Sequence, residues 1–323
     1  MKKYNLALGV LLLCAIFASP FAGVADVSYS AIFTPSSADA MIFWQLRLPR
    51  TLLALFIGGT LALSGMLFQN IFRNPLMSPF TLGVSSAATL GAAVAIYFGF
   101  SVSVFGFSAV TLFAFFTSLV SVALLAVFYT RARLSGGSLL LFGVAMSHFY
   151  TALLLVIYYV GGLMQTHSIV RFTLGNLSTT GYYELIPSAV FGLLLLFCAF
   201  YFAPELRLLS VSEENAKLKG VNSKKVVFVL LFAVSLAVAA AVSIAGPIGF
   251  VGLIVPHILK KLFARPSSEM ISTNFLGGAL FLLLCDTLVR LTPSESEIPI
   301  GVVTAFFGAP FFVYLILSRN KNS

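Results

Sequence analysis

Residues 225–245 read KVVFVLLFAVSLAVAAAVSIA, with one charge, at the first position, and otherwise only apolar and small side chains. At about 1.5 Å of rise per residue, a helix of this length covers roughly 30 Å, the thickness of a bilayer's hydrocarbon core. Water is absent there, so only a backbone that satisfies its own hydrogen bonds can cross, and the stretch reads as a transmembrane helix.

The same signal recurs along the chain. Apolar runs fall at about 5–25, 51–70, 81–99, 104–130, 138–160, 184–203, 225–245, 250–263, 271–290 and 299–317, which predicts an all-α integral membrane protein of about ten spans. The eighth run is short and flanked by Gly and Pro, so a partial or broken helix is expected, held where protein or a water-filled cavity surrounds it. Composition agrees: 59% of residues are hydrophobic, 9% are charged and the mean hydropathy is +1.04, whereas soluble domains carry about 25% charged residues. Polar stretches reach only about 25 residues, below the roughly 40 that even a minimal independent fold needs. Residues 1–323 are therefore expected to form one transmembrane domain.

Lys and Arg accumulate in cytoplasmic loops. With the N-terminus inside, fifteen fall in inner segments, and only Arg47, Arg50, Arg171 and Arg290 fall outside. Both termini are then cytoplasmic. The pI of 9.6 reflects this asymmetry and no nucleic-acid surface. Met-Lys-Lys before an apolar run, with small residues near Ala18 and Ala25, also fits a cleaved signal peptide. The even span count argues for retention instead. Cys14, Cys198 and Cys285 lie in apolar runs without paired spacing and read as small buried hydrophobes. Gly83, Ala87 and Gly91 on the third span, with Gly58, Gly59 and Gly65 on the second, form small-residue ridges for close helix packing.

The function classes narrow by what is missing. No GxxxxGK[ST] phosphate loop occurs, so the chain binds no ATP by that device. His148, His167 and His257 are scattered, with no catalytic constellation and no metal-ligand spacing. No cofactor is expected. An ion-coupled carrier needs ionisable groups at mid-membrane depth, and only His148 and Asp286 qualify. Arg290 lies one helical turn from Asp286 and is expected to pair with it. Energy for uphill transport would then come from another chain.

Three segments remain for function. Residues 204–224, PELRLLSVSEENAKLKGVNSK, form the longest inner loop, in which Ser212, Glu213 and Glu214 resemble a helix start and Gly220 a stop. That short helix is either a connector or a grip for a cytoplasmic partner. Arg47 and Arg50 flank Leu48-Pro49 at the outer edge, and Arg290 ends the ninth span. They either snorkel to headgroups or dock an acidic partner. Gly246, Pro247, Gly249, Gly252 and Pro256 surround the eighth span as a kink or as a pathway lining, the kink being the preferred reading.

These residues carry a resemblance. Arg47-Leu-Pro-Arg50, GGTLALSGMLFQNIFRNPLMSPFTLGVSSAATLGA (58–92), LLLFGVAMS (139–147), SVSEENAKLKGV (210–221), AGPIGFVGLIVPHI (245–258) and IPIGVVTAFFGAPFFVYLI (298–316) resemble, in order, the FecCD/BtuC-type permeases of importers for iron–siderophore complexes, heme or cobalamin. The resemblance implies a BtuC-like fold of ten spans and a second permease subunit, either a copy or a sister chain. It also implies two cytoplasmic ATPases that bind the ATP and a periplasmic or lipid-anchored substrate-binding protein, with membrane lipid around the spans. It assigns docking of that protein to Arg47, Arg50 and Arg290. ATPase coupling falls on about 208–221, including Ser212, Glu213, Glu214, Ala216, Leu218 and Gly220. A gate falls on Leu134 to Ser138, where Ser135, Gly136, Gly137 and Ser138 stand and the two glycines replace hydroxyl residues of the cobalamin member. Gly246, Pro247 and Gly249 are the other gate or pathway candidates. The expected cargo is a ferric siderophore or related iron chelate crossing a bacterial inner membrane by alternating access. Met164 and His167 in an outer loop are a weak pointer to heme. A secondary transporter and an intramembrane enzyme are the competing classes.

Overall fold

The computed structural model describes all residues except 1, 26, 30–32, 35, 36, 102, 105, 106, 133–135, 267, 268, 294–296 and 321–323. It is helical, with α1 (Lys2–Ala18), α2 (Ala38–Met41), α3 (Leu48–Ile71), α4 (Val84–Tyr97), α5 (Ala109–Ala132), α6 (Gly136–Val160), α7 (Leu163–Thr173) and α8 (Leu185–Tyr201) in its first part. There follow α9 (Ala203–Val211), α10 (Glu213–Leu218), α11 (Ser223–Ala245), α12 (Val251–Phe263), α13 (Ile271–Leu291) and α14 (Ile300–Asn320). An apolar helix stands at each of the ten expected spans. Four of them, within Ala38–Ile71, Gly137–Val160, Ser223–Ala245 and Ile271–Leu291, are long and apolar enough to cross a bilayer unaided. α8 and α9 pass the same test only when taken together, across a 67° bend. Among the described residues, the apolar stretches Asn5–Phe21, Val84–Tyr97, Ala109–Leu125 and Ile300–Val313 are shorter, and α12 has only 13 residues.

α3 is the central post. Leu53, Ile57, Leu61, Met66 and Leu67 are buried around its circumference, and α13, α12, α11 and α8 pack on it. Small residues permit this, as expected where van der Waals packing drives helix association. A Cβ on Gly58 would run into the Gly278 carbonyl of α13, and one on Gly65 into the Gly252 carbonyl of α12. Gly91 of α4 likewise faces Thr117 and the Phe113 carbonyl of α5. The glycine ridges are packing surfaces.

Packing is uneven. In the apolar window of Ala38–Ile71, 83% of residues are buried, against 17% for Gly137–Val160. α6 therefore leaves most of its surface to lipid or to another chain. Cys285 is buried and Cys198 half-buried, as expected, but Cys14 is exposed on the outward face of α1. None forms a disulfide. α1 packs along α13, and the Thr273 hydroxyl donates to Asn5 Oδ1 at 2.6 Å near its start. We term the end carrying the N-terminus proximal and the opposite end distal.

Candidate functional site: an arginine cluster at the distal end

The segment before α3 is a helix with a local defect. Ile42–Arg47 is a π-helical stretch, and Pro49 follows at the start of α3. Proline has no N–H, so the carbonyls four and five residues earlier lose a donor. Those are Gln45 and Trp44. The structure supplies both from one loop: Gly181 N donates to Gln45 O at 2.8 Å, and the Tyr182 hydroxyl to Trp44 O at 2.9 Å. π-helical turns are rare and frequent at functional sites.

This helix carries Arg47 and Arg50 one turn apart, and α13 brings Arg290 and Asp286 beside them. The sequence places the three arginines at the outer edge, where they snorkel to headgroups or dock an acidic partner; the structure shows all three residues buried, at 7%, 7% and 9% exposure, and each engaged within the chain. Arg50 Nε donates to Asp286 Oδ1 at 2.8 Å, and Nη1 reaches Glu297 Oε1 at 2.9 Å and Oε2 at 2.8 Å. Arg290 Nη1 donates to Ser19 O at 2.9 Å and Nη2 to Ser19 Oγ. Its Nε lies 3.0 Å from Asp286 Oδ2, an ion pair without hydrogen-bond alignment. Arg47 donates to Pro20 O at 3.0 Å and to Ala25 O. Ser19, Thr51 and Thr287 share hydroxyl contacts of 3.0–3.3 Å that close the network.

The expected pairing of Asp286 with Arg290 is present, but Asp286 is bidentate between two helices. Its side chain is fully buried, so two cations offset the cost of burying one carboxylate. Glu297, in the connector between α13 and α14, is the outer counterpart, with a side chain 55% exposed. Ser178 Oγ lies 3.0 Å from Glu297 Oε2 and 2.7 Å from Asn176 Oδ1, one proton between two acceptors. Partial burial pushes the Glu297 carboxyl up, but Arg50 beside it, with Ser178 and Arg290, outweighs this and holds it below its ordinary value. Sequence reasoning missed Glu297, Ser178 and Ser19, of which only the IPIG run at 298–301 lay near a quoted motif.

The Gly246–Gly249 kink lies beneath the cluster. Asn176 N donates to Ala245 O at 2.7 Å. Gly246, at φ +67°, abuts the Phe172 carbonyl, and Gly175, at φ +74°, has the Pro247 carbonyl 2.6 Å from where a Cβ would stand. Gly301 of α14 presses on the Leu174 carbonyl. Three backbones meet where side chains cannot fit, which supports the kink reading for Gly246 and Pro247. Gly249 has no neighbour within 4 Å of its Cβ position.

At the proximal end, Ser212 caps α10, accepting from Glu214 N at 3.2 Å and Asn215 N at 3.3 Å. Glu213 and Glu214 occupy the first turn, Ala216 is buried, Leu218 is 85% exposed, and Gly220 stops the helix at φ +79°. Of the gate candidates, Leu134 and Ser135 lie outside the described residues. Gly136 opens α6, and Gly137 and Ser138 are exposed in its first turn. Among the described residues, no group of three or more His, Cys, Asp or Glu side chains is placed to hold a metal ion.

Residues 11–318 match the FecCD transport family. The chain belongs to that family. It is 32% identical to the hemin transport system permease protein HmuU of Yersinia pestis, over 97% of this chain and 95% of that one. It is 37% identical to a probable iron chelatin transport system permease protein of Helicobacter pylori, over 87% and 83%. It is 33% identical to the vitamin B12 import system permease protein BtuC of Escherichia coli, over 99% and 96%. A solved structure described as an inward-facing conformation of a putative metal-chelate type ABC transporter matches with a TM-score of 0.87 and 32% identity, covering 98% of this chain and all of that one. As a FecCD permease, the chain is the membrane-spanning subunit of an ABC importer with the all-α BtuC-like fold. It is not an enzyme: ATP hydrolysis belongs to a separate subunit, and a partner permease and a substrate-binding protein complete the importer.

Proposed function

We propose that this FecCD permease passes a ferric siderophore or related iron chelate across a bacterial inner membrane, with both termini cytoplasmic. The observation that carries the cargo is the identity to the probable iron chelatin permease, 37% against 32% and 33% for the hemin and vitamin B12 proteins. A second reading, heme or cobalamin, is favoured by the longer coverage of those two relatives. Uptake by cells bearing this importer distinguishes them: iron-55 siderophore should accumulate in an ATP-dependent manner, while labelled hemin and cobalamin should not. Accumulation of hemin or cobalamin alone would overturn the iron-chelate reading, and uptake that collapses with the proton gradient but survives loss of the ATPase would restore the secondary transporter.

In this reading the chain is one transmembrane domain forming half of a two-subunit pore, and alternating access follows from tilting about the subunit seam. α6 supports the pore. His148 and Thr151 lie on its exposed face three residues apart, and polar groups at membrane depth are expensive unless they face a water-filled cavity or another chain. The gate is the turn at 134–138, with Ser135, Gly136, Gly137 and Ser138. The ATPase pushes on α9 and α10, where Leu218 stands out from a capped helix. Arg47, Arg50 and Arg290 form the docking site for the substrate-binding protein. Their burial means that docking reads the shape and charge of the whole cluster. Charge reversal at Arg50 should reduce both uptake and affinity for the binding protein, and unchanged values for both would remove the docking role.

A further inference from the structure

α12 is interrupted from within. Pro256 stands inside it, buried, and has no N–H, so the carbonyl four residues earlier, that of Gly252, loses its donor. Gly252 is itself buried, and an unpaired buried carbonyl is costly. The donor comes from another helix: Gln69 Nε2 of α3 donates to Gly252 O at 3.1 Å, across 183 residues of sequence. Gln69 is half-buried and lies one turn beyond Gly65, whose Cβ position meets the same carbonyl. α3 and α12 thus meet backbone to backbone at Gly65 and Gly252, and one side-chain amide fastens the crossing.

A second observation marks the same seam. Among the described residues, the non-glycine positions at positive φ are Arg73 at +50°, Phe250 at +67° and Ala264 at +48°. Phe250 and Ala264 flank α12 at its two ends, and Arg73 follows the end of α3, four residues after Gln69. Side chains with a Cβ are strained at positive φ, and such residues cluster at functional and switch regions. α12 is therefore a short segment with a strained joint at each end, a missing internal bond and a borrowed donor.

We propose that Gln69 is a positioning residue for transport: its amide stands in for the N–H that Pro256 lacks and latches α12 to α3 by a contact that a side-chain rotation can release. A bond from α12's own backbone would open only by unwinding a turn, whereas a side-chain amide lets go by changing rotamer. Glycine on both faces leaves the crossing smooth, so α12 can shift along α3 once the amide is off. The proposal rests on the alternating-access reading above and names a seam that gives way.

The latch predicts a specific pattern in the complete transporter complex. Gln69→Leu removes the donor and keeps the bulk, so the thermal midpoint in detergent should fall by roughly 2–6 °C. Uptake should fall about tenfold or more, measured with whichever of iron-55 siderophore, hemin or cobalamin the unaltered importer accumulates. Pro256→Ala returns an N–H to α12, so Gln69→Leu in that background should leave the midpoint almost unchanged. Uptake by the Gln69→Leu/Pro256→Ala pair should nevertheless stay low, because the carbonyl is then held permanently and α3 no longer grips it. Additive midpoints overturn the pairing of Gln69 with Pro256. Unchanged uptake in Gln69→Leu, or uptake that recovers with the midpoint in the pair, overturns the latch and leaves a structural bond. If Gln69→Leu does not fold, the amount of folded protein in the pair replaces the midpoint, and no recovery overturns the pairing. If Pro256→Ala does not fold, Gln69→Arg, which keeps a donor, should hold the midpoint that Gln69→Leu loses, and equal loss overturns it. Alternating access is read separately, by amide exchange of the unaltered complex with ATP and vanadate. Altered exchange in 252–257 supports release, altered exchange elsewhere in the chain but not there overturns release alone, and no alteration anywhere overturns both.

Discussion

Asp286→Asn keeps the shape of the side chain and removes its charge, so it isolates the electrostatic role of the one fully buried carboxylate in the cluster. Arg50 would retain Glu297, and Arg290 would retain Ser19 O and Oγ. Both would lose their shared counter-charge, and among the described residues Glu297 would be the carboxylate left beside Arg50. Removing one partner from a buried ion pair typically costs about 3–5 kcal/mol. The remaining contacts place the expected loss near the lower figure. At roughly 2 °C per kcal/mol for chains of this size, the midpoint should fall by about 6 °C. Membrane proteins often unfold irreversibly, so the comparison needs one heating rate throughout. The assay is the apparent unfolding midpoint of the purified chain in detergent, with Arg50→Leu and the Asp286→Asn/Arg50→Leu pair completing a cycle. The pair should be less destabilised than the sum of the single variants, because residues in one ionic network are not additive. A midpoint for Asp286→Asn within about 1 °C of the unaltered chain, or an additive cycle, would show that burial of these charges contributes little to the fold.

Ser212→Ala removes the cap of α10 and should cost about 1 kcal/mol locally. Exchange in 213–218 should then rise about fivefold with the global midpoint unchanged, and uptake should fall if this helix transmits the ATPase stroke; unaltered exchange would show that the cap is idle. Gly65→Ala should prevent folding outright, because its Cβ collides with the Gly252 backbone, and recovery of a normal midpoint would contradict the packing of α3 on α12. Glu297 has a lowered folded value, so its bond to Arg50 contributes above the ordinary carboxylate value, near 4.3, and is lost as pH falls through the lower folded value. Exchange in 174–179 and 292–299 should be flat from about pH 8 to 5, after correction for intrinsic rates, and rise only below about 4. Loosening above pH 5 would mean that the carboxylate is not held by Arg50.

The helices were legible because the apolar runs, the short eighth one excepted, are long, uniform and bounded by charges or turns, and the bilayer leaves the backbone no alternative. The α10 cap was legible too, since Ser212 and the acids after it act within one turn. What escaped has a common cause. Arg50 and Asp286 are 236 residues apart, and no periodicity links them. Arg47 bonds to main-chain carbonyls, which no side-chain pattern records. The π-helical turn is set by a proline whose consequence appears only when the 181–182 loop supplies the missing donors. The charge count that oriented the chain treats each arginine as solvated, so it registers that Arg47 and Arg50 are unusual but not why.

That exception now has a physical basis, and it limits what docking can mean. An arginine buried this deeply must be matched, and here all three are matched internally. A partner can therefore reach a guanidinium only by taking the place of a group already there. The Ser19 and Pro20 carbonyls cannot yield without unseating the end of α1, and Asp286 cannot leave a site closed on all sides. Substitutions at Arg47 and Arg290 should accordingly lower the amount of folded protein before they lower affinity for any partner. Among the described contacts of the three arginines, the partly exposed counter-ion is Glu297 beside Arg50, so a substitution at Arg50 should change affinity for a partner at a smaller loss of folded protein than one at Arg290.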